Sequence, residues 1–279
     1  MTHRRRTSTP CGLGCGMLPG DRSLVWLERT IANVAVTQML PAGVVKGGTA
    51  MRLRAGTDNV RFSADLDTAR PVGVDVDTFI TRFEGNLRAG WAGFTGVVIE
   101  RRPANPRDVP PDYVMRPFDV KLAYRTRSLC TVEFELGHDE IGSTTRPSLR
   151  PVAAGIVELF SSLGLPKPEP VPLLATEYQI AQKLHACTTL TAAGGNDRAH
   201  DLVDIQLLYE LDPPDPAELA AIGTRLFASR RQGAWPPTVQ AHPGWDALYA
   251  AAATGIAVRP LAEAVVWVNE RIAETARLR

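Results

Sequence analysis

The sequence predicts an α/β (α+β) protein with two lobes, an N-terminal lobe built on a mixed sheet and a C-terminal lobe that is mostly helical. Two observations lead to this prediction. Strand-like runs alternate with helical patterns up to about residue 148, and six successive helical patterns follow. The 279 residues are enough for two lobes with an ample core. We expect a flexible tail over residues 1–20, a first lobe over 21–148 and a helical lobe over 149–279.

Composition is that of an ordinary globular protein. The apolar fraction is 44%, the charged fraction is 22% and the formal net charge is +1, so any nucleic-acid-binding surface has to be local. No apolar run approaches the roughly 18 residues of a membrane span. The basic N-terminus lacks the apolar core of a signal peptide. The four cysteines (Cys11, Cys15, Cys130 and Cys187) form no complete zinc pattern, which favours free thiols in a reducing cytoplasm.

In the first lobe, apolar periodicity and turn residues define the elements. Asp21 is the predicted N-cap of a helix over 22–38, and Val44 and Val45 form a short apolar strand or a buried lead-in. The glycines that follow begin a second helix. The remaining predictions are strands over 60–63, 93–100, 118–124 and 130–136, a helix over 75–90 and a loop over 101–111.

The second lobe is predicted as a series of helices. A proline-rich stretch over 166–172 interrupts the series, and a short strand over 171–175 precedes the third motif described below. The predicted helices cover about 150–163, 176–193, 199–211, 215–230, 244–255 and 259–277.

The most informative stretch runs from residue 46 to residue 67 and has the sequence KGGTAMRLRAGTDNVRFSADLD. Gly47 and Gly48 allow backbone N–H groups to approach an anion, and the dipole of the helix that begins there favours negative charge at the same place. Asp65 and Asp67 are two residues apart, so on an extended chain they share one face. Two carboxylates beside an anion-binding turn are what a Mg²⁺–nucleotide site requires. On its own, such a pair would indicate only a solvated strand end.

A further pair of carboxylates occurs in the strand predicted over 130–136. Alternation places Glu133 and Glu135 on one face, with Val132, Phe134 and Leu136 on the other. The two glutamates are therefore either part of a site or a solvent-facing strand edge.

Two helical segments add charged groups. A lysine such as Lys183 is well suited to a triphosphate, although an isolated helix lysine is more often solvated. Arg198, Asp201 and Asp204 are spaced at i, i+3 and i+6, which places them on one helix face. The alternative is an ordinary N-terminal charge cluster, since the helix dipole stabilises Asp201 in any case. His200 falls outside the spacing and is interpreted as incidental.

These segments together carry a family resemblance. The Gly-Gly-Thr turn followed by Arg-Phe-Ser-x-Asp-Leu-Asp resembles the signature of polymerase-β-type nucleotidyltransferases, and more narrowly that of AbiEii-like toxins, including the MenT group. The segment Ile180-Ala181-x-Lys183-Leu184-x-Ala186 resembles the family's third motif, and Arg198-x-x-Asp201-Leu202-x-Asp204-Ile205 resembles its fourth. No Gly-Lys-Ser/Thr closes a glycine loop, so a Walker loop is not indicated. The resemblance covers about residues 30–210.

The resemblance implies a polymerase-β-like first lobe and specific residue roles. Asp65 and Asp67 would hold Mg²⁺, with Mn²⁺ as the alternative, and Glu135 would be the third ligand, with Glu133 as the fallback. Asp204 would either hold Lys183 or activate the acceptor hydroxyl, with Asp201 and Arg198 as second choices. The expected catalytic residues are Asp65, Asp67, Lys183 and Asp204. The expected nucleotide-binding residues are Lys46, Gly47, Gly48, Thr49, Arg61, Ser63 and Lys183.

The activity implied is transfer of NMP from an NTP, with a pyrimidine NTP expected, to the 3′ acceptor end of tRNA, which would block aminoacylation, translation and growth. A cognate antitoxin protein is the implied partner, and neither DNA nor a membrane is expected. Local basic residues are consistent with RNA. They are Arg101, Arg102, Arg107, Arg116, Lys121, Arg125 and Arg127, with a second group at Arg225, Arg230 and Arg231. The alternatives are a protein or small-molecule acceptor, or a non-catalytic protein that binds only the antitoxin.

Overall fold

The structure, a computed structural model, describes residues 24–56, 60–61, 63, 65–102, 114–190 and 194–277. Within these ranges the chain forms a seven-stranded mixed sheet and nine helices. The strands are β1 (Val44–Val45), β2 (Leu66–Ala69), β3 (Phe94–Glu100), β4 (Arg116–Tyr124), β5 (Arg127–Gly137), β6 (Ser148–Arg150) and β7 (Val171–Leu173). The helices are α1 (Leu24–Gln38), α2 (Gly47–Ala55), α3 (Val76–Ala89), α4 (Ala154–Ser162), α5 (Thr176–Thr188), α6 (Ala199–Leu211), α7 (Pro216–Arg230), α8 (Trp245–Ala252) and α9 (Leu261–Ala276).

The short strand β2 lies at the centre of the sheet, whose order is β3-β4-β5-β2-β1-β7-β6. It pairs parallel with β5 and antiparallel with β1, while β1 pairs parallel with β7. The outer pairs β3–β4, β4–β5 and β6–β7 are antiparallel. The mixed sheet followed by a series of helices confirms the predicted α/β (α+β) class.

Two groups of buried apolar residues hold the fold together. The first lies between the sheet and helices α1, α3 and α4, where the rings of Phe83 and Phe134 are 5.0 Å apart. The second is formed mainly by α5 to α9 and includes the fully buried Trp245. The sheet and its core continue past residue 148 with β6, β7 and α4. The boundary between two lobes at this position stays a prediction.

Local sequence signals explain several helix ends. The side chain of Asp75 accepts a hydrogen bond of 2.8 Å from the Thr78 N–H at the start of α3, and Gly90 ends that helix with φ +78°. At the end of α5, the Asn196 amide donates to the carbonyls of Ala186 and Thr189. These bonds satisfy helix carbonyls that have no partner within the helix. They stabilise the end of α5 at Thr188, whereas the predicted helix extended to residue 193.

The strand predicted over 60–63 is wrong for the described residues Val60, Arg61 and Ser63, and β2 begins only at Leu66. The polar groups of this segment bond to helices. The Arg61 side chain binds Asp204 on α6, and the Ser63 carbonyl accepts from Arg52 on α2. The short strand β6 was not predicted.

Several predictions concern residues outside the described ranges. These are the tail over 1–20, the cap at Asp21, Cys11, Cys15 and Arg107. Of the cysteines in the described part, Cys130 and Cys187 are both free thiols. None of the helices in the described part is both long and apolar enough to cross a bilayer.

Candidate active site

The glycine turn and Asp67 are in direct contact. Lys46, the N-cap of α2, donates its backbone N–H to the Asp67 carbonyl at 2.9 Å. Gly47 has φ +65°, and a Cβ built on it would lie 2.0 Å from Asp67 Oδ2. A Cβ on Gly48 would lie 2.5 Å from the Ser63 Cβ. The two glycines therefore allow the Asp67 and Ser63 side chains to pack against the first turn of α2, where helix N–H groups have no intrahelical partner.

Thr49 fixes the position of Asp65. Its hydroxyl donates to the Asp65 carbonyl at 2.7 Å and accepts from the Asn33 side-chain amide at 3.3 Å. Thr49 and Asn33 are both buried. The Thr49 hydroxyl is thus occupied by hydrogen bonds within the protein. The backbone N–H of Thr49 is the group of this residue that remains available to a ligand in the first turn of α2. Sequence analysis did not single out Asn33, although it is a lone amide in the apolar stripe of α1.

Four carboxylates meet at the centre of the sheet. Asp67 on β2 is the direct register partner of Glu135 on β5, and Glu133 lies two residues earlier on β5. Burial raises the pKa of Asp65, and the charges of Glu133 and Asp67 raise it further. Burial also raises the pKa of Glu135, again with contributions from Asp67 and Asp65. Asp65 is therefore within electrostatic reach of Glu133 and Asp67, and Glu135 is within reach of Asp67 and Asp65.

Glu133 and Glu135 differ in their surroundings. Arg101 Nη1 donates to Glu133 Oε2 at 3.1 Å, and Arg101 Nε also lies 3.4 Å from Asp119. The charge of Glu133 is thereby compensated, whereas Glu135 faces Asp67 across the parallel pair. This arrangement favours Glu135 over Glu133 as the third member of the site.

The donor set fits a hard divalent cation. Among the described residues, no three His, Cys, Asp or Glu side chains are already gathered into a metal-binding group. Oxygen ligands are, however, those that Mg²⁺ prefers, and a cation between Asp65, Asp67 and Glu135 would relieve the repulsion that raises the pKa of Asp65 and Glu135.

A chain of alternating charges connects this centre to the helical region. Arg61 Nε donates to Asp204 Oδ1 at 3.0 Å, and Arg61 Nη2 donates to Oδ2 at 3.0 Å. Lys183 Nζ lies 2.7 Å from both Asp204 Oδ2 and Asp201 Oδ1. Arg198 Nε donates to Asp201 Oδ2 at 2.7 Å. The five side chains, three cations and two anions, form one continuous network.

The network keeps Lys183, Asp201 and Asp204 charged although these three side chains are buried. Burial alone would lower the pKa of Lys183, but the charges of Asp204 and Asp201 outweigh it, so the pKa lies above its ordinary value. Burial would raise the pKa of Asp204, but Lys183 and Arg61 hold it below the usual range. Lys183 and Arg198 likewise lower the pKa of Asp201 against the effect of burial.

Access to solvent differs along the network. The Lys183 side chain is only 10% exposed, whereas Arg61 is 24% and Arg198 is 46% exposed. Two of the three Lys183 N–H donors are taken by carboxylates. Asp204 binds both Lys183 and Arg61, which favours a holding role for this carboxylate over activation of an acceptor hydroxyl. Arg61 Nη2 is also 3.9 Å from the Cβ position of Gly48, so the network reaches the turn.

The basic residues predicted to bind RNA are partly paired. Arg101 binds Glu133 and Asp119, and Lys121 lies 3.7 Å from Asp119. Arg116 binds Glu100. Exposed cations without such an ion pair in the described residues include Arg102, Arg125 and Arg127. Of the second predicted group, Arg225, Arg230 and Arg231, Arg230 forms a bidentate ion pair with Glu140.

A cleft of about 850 Å³ adjoins the site and was not predicted from sequence. Its lining includes Lys46 and Arg198 at the site, and Glu140, Gln182 and Arg230 farther away. Glu140, Gln182 and Arg230 have no recognisable spacing, because they come from three separate segments of the chain.

Comparison with known proteins shows which family model and which solved structures this chain is similar to. The family model described as "Nucleotidyl transferase AbiEii toxin, Type IV TA system" matches residues 27–267. The chain is similar to the solved structure of MenT4, a nucleotidyltransferase toxin from Mycobacterium tuberculosis H37Rv, with 15% identity, a TM-score of 0.50, and coverage of 92% of this chain and 95% of that one. It is also similar to JHP933 from Helicobacter pylori, with 16% identity, a TM-score of 0.45, and coverage of 92% and 94%. A search of curated proteins gives no significant match.

Proposed function

Since this chain belongs to the AbiEii family of nucleotidyltransferase toxins of type IV toxin–antitoxin systems, we propose that it transfers NMP from an NTP to the 3′ acceptor end of tRNA. An extended acceptor end cannot be aminoacylated, so the reaction would stop translation and growth. The single observation that carries the proposed chemistry is the register of Asp67 with Glu135, beside Asp65 and directly against the glycine turn at Gly47.

The first turn of α2 is the proposed phosphate site. The backbone N–H groups of Gly47, Gly48 and Thr49 lie at the positive end of the helix dipole, which favours an anion. Asp67 packs against this turn and would have to turn towards a cation as a triphosphate binds. Lys46 adds a positive charge beside the turn, where it acts on Glu135 electrostatically.

A divalent cation fits the same centre. Mg²⁺, or Mn²⁺ in its place, would be held by Asp65, Asp67 and Glu135 and would supply activation of the acceptor hydroxyl and stabilisation of the leaving pyrophosphate. The protein's own contribution is to fix these carboxylates. Thr49 holds the backbone of Asp65, and the parallel strand pair fixes Asp67 relative to Glu135.

The charge network supplies the cations that we propose for the phosphates. We assign Arg61 and Lys183 to stabilisation of the negative charge that increases on the phosphates during transfer. Asp204 and Asp201 position these cations, and Arg198 compensates Asp201. Ser63, in contact with the Gly48 position, belongs to the wall of the same site.

Family membership is the main support for an RNA acceptor. The exposed Arg102, Arg125 and Arg127 are consistent with it, whereas the ion pairs of Arg101 and Arg116 reduce the local positive charge. A pyrimidine NTP is the proposed donor, and a cognate antitoxin is the partner that the family implies. A protein or small-molecule acceptor is the competing proposal.

The test is a transfer assay with each of the four α-labelled NTPs, Mg²⁺ and total RNA, with Asp65→Ala as the control. Label in the tRNA band from a pyrimidine NTP, absent from the control, is the expected result. Label in protein or in a small molecule would support nucleotidyltransferase activity and would contradict the proposal that tRNA is the acceptor. Absence of label in every fraction would contradict the proposal as a whole.

A further inference from the structure

The cleft beside the site has the size of a small-molecule pocket. Its volume of about 850 Å³ lies within the usual range for ligand pockets, roughly 300–1,000 Å³. Leu174, Met115 and Ala69 contribute apolar surface, and most of the other lining residues are polar or charged, Glu140 and Gln182 among them. Apolar surface combined with fixed polar groups is what allows a pocket to bind and orient a small molecule.

The position of the cleft connects it to the proposed phosphate site. Lys46 lines the cleft and immediately precedes Gly47, the first residue of the α2 turn. Arg198 lines it as well and is the last member of the charge network. The residue before the phosphate turn and one end of the charge network therefore both border the cleft.

Helix α5 presents different residues to the network and to the cleft. Lys183 is buried and points to the network, whereas Gln182 and Ala186, four residues apart and half-buried, line the cleft. Thr189, at the end of the helix, continues the same face. One helix thus orients both the cation for the phosphates and the side chains of the cleft.

A hydrogen-bonded unit fixes the polar part of the cleft. Arg230 Nε donates to Glu140 Oε1 at 2.7 Å and Nη2 donates to Oε2 at 2.8 Å. Gln182 Nε2 donates to Glu140 Oε2 at 2.8 Å. Because the nitrogen of the Gln182 amide is held by Glu140, its carbonyl oxygen is directed away from that carboxylate as an oriented acceptor. Oriented polar groups discriminate between ligands because a mismatched ligand leaves them unpaired.

Two of the cations that line the cleft are already paired with carboxylates. Glu140 compensates Arg230, and Asp201 compensates Arg198. Lys46 and Arg231 line the cleft as well and form no ion pair with a described residue, so a negatively charged part of a ligand can be bound beside the hydrogen-bonding groups.

We propose that the cleft binds the nucleoside part of the NTP and that Gln182, held by Glu140 and Arg230, determines which base is preferred. This inference rests on the proposed function and adds the residues that select the donor. Gln182 is a specificity-determining residue, and Glu140 and Arg230 are positioning residues.

The test compares binding of the four NTPs with binding of inorganic tripolyphosphate, by calorimetry in buffer containing Mg²⁺. Gln182→Met keeps the length of the side chain and removes its hydrogen bonds, and Ala186→Phe fills the cleft. Gln38→Met, which alters a glutamine bound to the Glu169 backbone far from the cleft, is the matched control. Steady-state kinetics with each NTP provide a second readout.

For Gln182→Met we expect about a tenfold loss of affinity for the preferred NTP, as for a lost hydrogen bond, and a smaller difference among the four NTPs. The same variant should raise KM for that NTP more than it lowers kcat. Ala186→Phe should weaken the binding of all four NTPs. Tripolyphosphate should bind both variants with the affinity that it has for the wild type. Gln38→Met should behave as the wild type with every probe.

Three results would overturn the inference. The first is an equal loss of binding affinity for NTP and for tripolyphosphate in the variants. The second is an unchanged order of affinity for the four NTPs in Gln182→Met. The third is wild-type protein that binds tripolyphosphate as tightly as any NTP. Each of these would leave the proposed transfer activity intact. Base-selective binding that depends on Gln182, without transfer to any acceptor, would support the inference and contradict the proposed function.

Discussion

Lys183 Nζ lies 2.7 Å from Asp204 Oδ2, and both side chains are almost completely removed from solvent. The contact joins α5 to α6, and Arg61 extends it to the segment before β2. Arg61 and Asp204 are 143 residues apart in the sequence. The charge network therefore holds the carboxylate centre against the helical part of the protein, in addition to any role with phosphates.

Replacement of Lys183 by methionine should destabilise the protein as well as inactivate it. The variant leaves Asp201 and Asp204 buried with less compensation, and breaking a buried ion pair on one side costs about 3–5 kcal/mol. Urea unfolding followed by circular dichroism measures the loss. The double variant Lys183→Met/Asp204→Asn should recover part of it, and a single variant as stable as the wild type would contradict the structural role of the network.

Replacement of Gly47 by alanine should abolish transfer. A Cβ there would lie 2.0 Å from Asp67 Oδ2, so the carboxylate has to move, and displacement of about 1 Å can cost 100-fold in rate. Gly73→Ala is the matched control, because Gly73 also has positive φ (+75°) but nothing lies within 4 Å of its Cβ position. Initial rates should fall at least about 100-fold for Gly47→Ala and stay near wild type for Gly73→Ala. Equal rates for the two variants would show that the contact with Asp67 is unimportant.

Loss of the Thr49 hydroxyl should affect both rate and stability. Thr49→Val removes the hydrogen bond to the Asp65 carbonyl and the one accepted from the buried Asn33 amide, and should cost about 1–3 kcal/mol of unfolding free energy. The loosened Asp65 backbone should lower the transfer rate about tenfold or more. Thr49→Ser restores the hydroxyl and should recover most of the rate, whereas no recovery would argue that the methyl packing matters and the hydrogen bond does not.

His185 should make stability depend on pH between about 4 and 6.5. Burial and, to a smaller extent, the charge of Arg230 lower its pKa to about 4 against the opposing effects of Glu140 and the Gln232 backbone. Because the folded pKa is below the unfolded value, the contribution of neutral His185 is complete above pH 6.5 and is lost as pH falls towards 4.

The measurement for His185 is unfolding free energy at pH 7.5 and at pH 5, for the wild type and for His185→Gln. The advantage of the wild type over the variant should decrease by up to about 2 kcal/mol between these values. A constant difference would mean that His185 has an ordinary pKa in the folded protein.

Local signals in the sequence were sufficient for much of the fold. Apolar periodicity predicted a helix over 75–90, close to the observed α3, and alternation predicted that Glu133 and Glu135 share one face of β5. The glycine turn and Asp67 were assigned to one site from their spacing, but their direct contact was not predicted. The family motifs identified the members of the charge network and, as one of two alternatives, the contact of Asp204 with Lys183, whereas the contact of Arg61 with Asp204 was not predicted.

Long-range contacts account for what sequence analysis missed. Arg61 bonds to Asp204 and Ser63 to Arg52, so the described residues of this segment, Val60, Arg61 and Ser63, do not form the strand that the composition favoured. Asn33 supports Thr49 from a different helix, and no local pattern indicates the partner. The unit formed by Glu140, Gln182 and Arg230 arises from three separate segments and exists only in the folded chain.

The central claim is that Asp65, Asp67 and Glu135 form the reaction centre, and its most direct test is the initial rate of nucleotide transfer by Glu135→Gln and Glu133→Gln. The two glutamates lie on the same face of β5, and only Glu135 is in register with Asp67, while Glu133 is paired with Arg101. We predict a loss of about 100-fold or more for Glu135→Gln, with circular dichroism unchanged, and less than about tenfold for Glu133→Gln. A Glu135→Gln enzyme that transfers at nearly the wild-type rate would contradict the account.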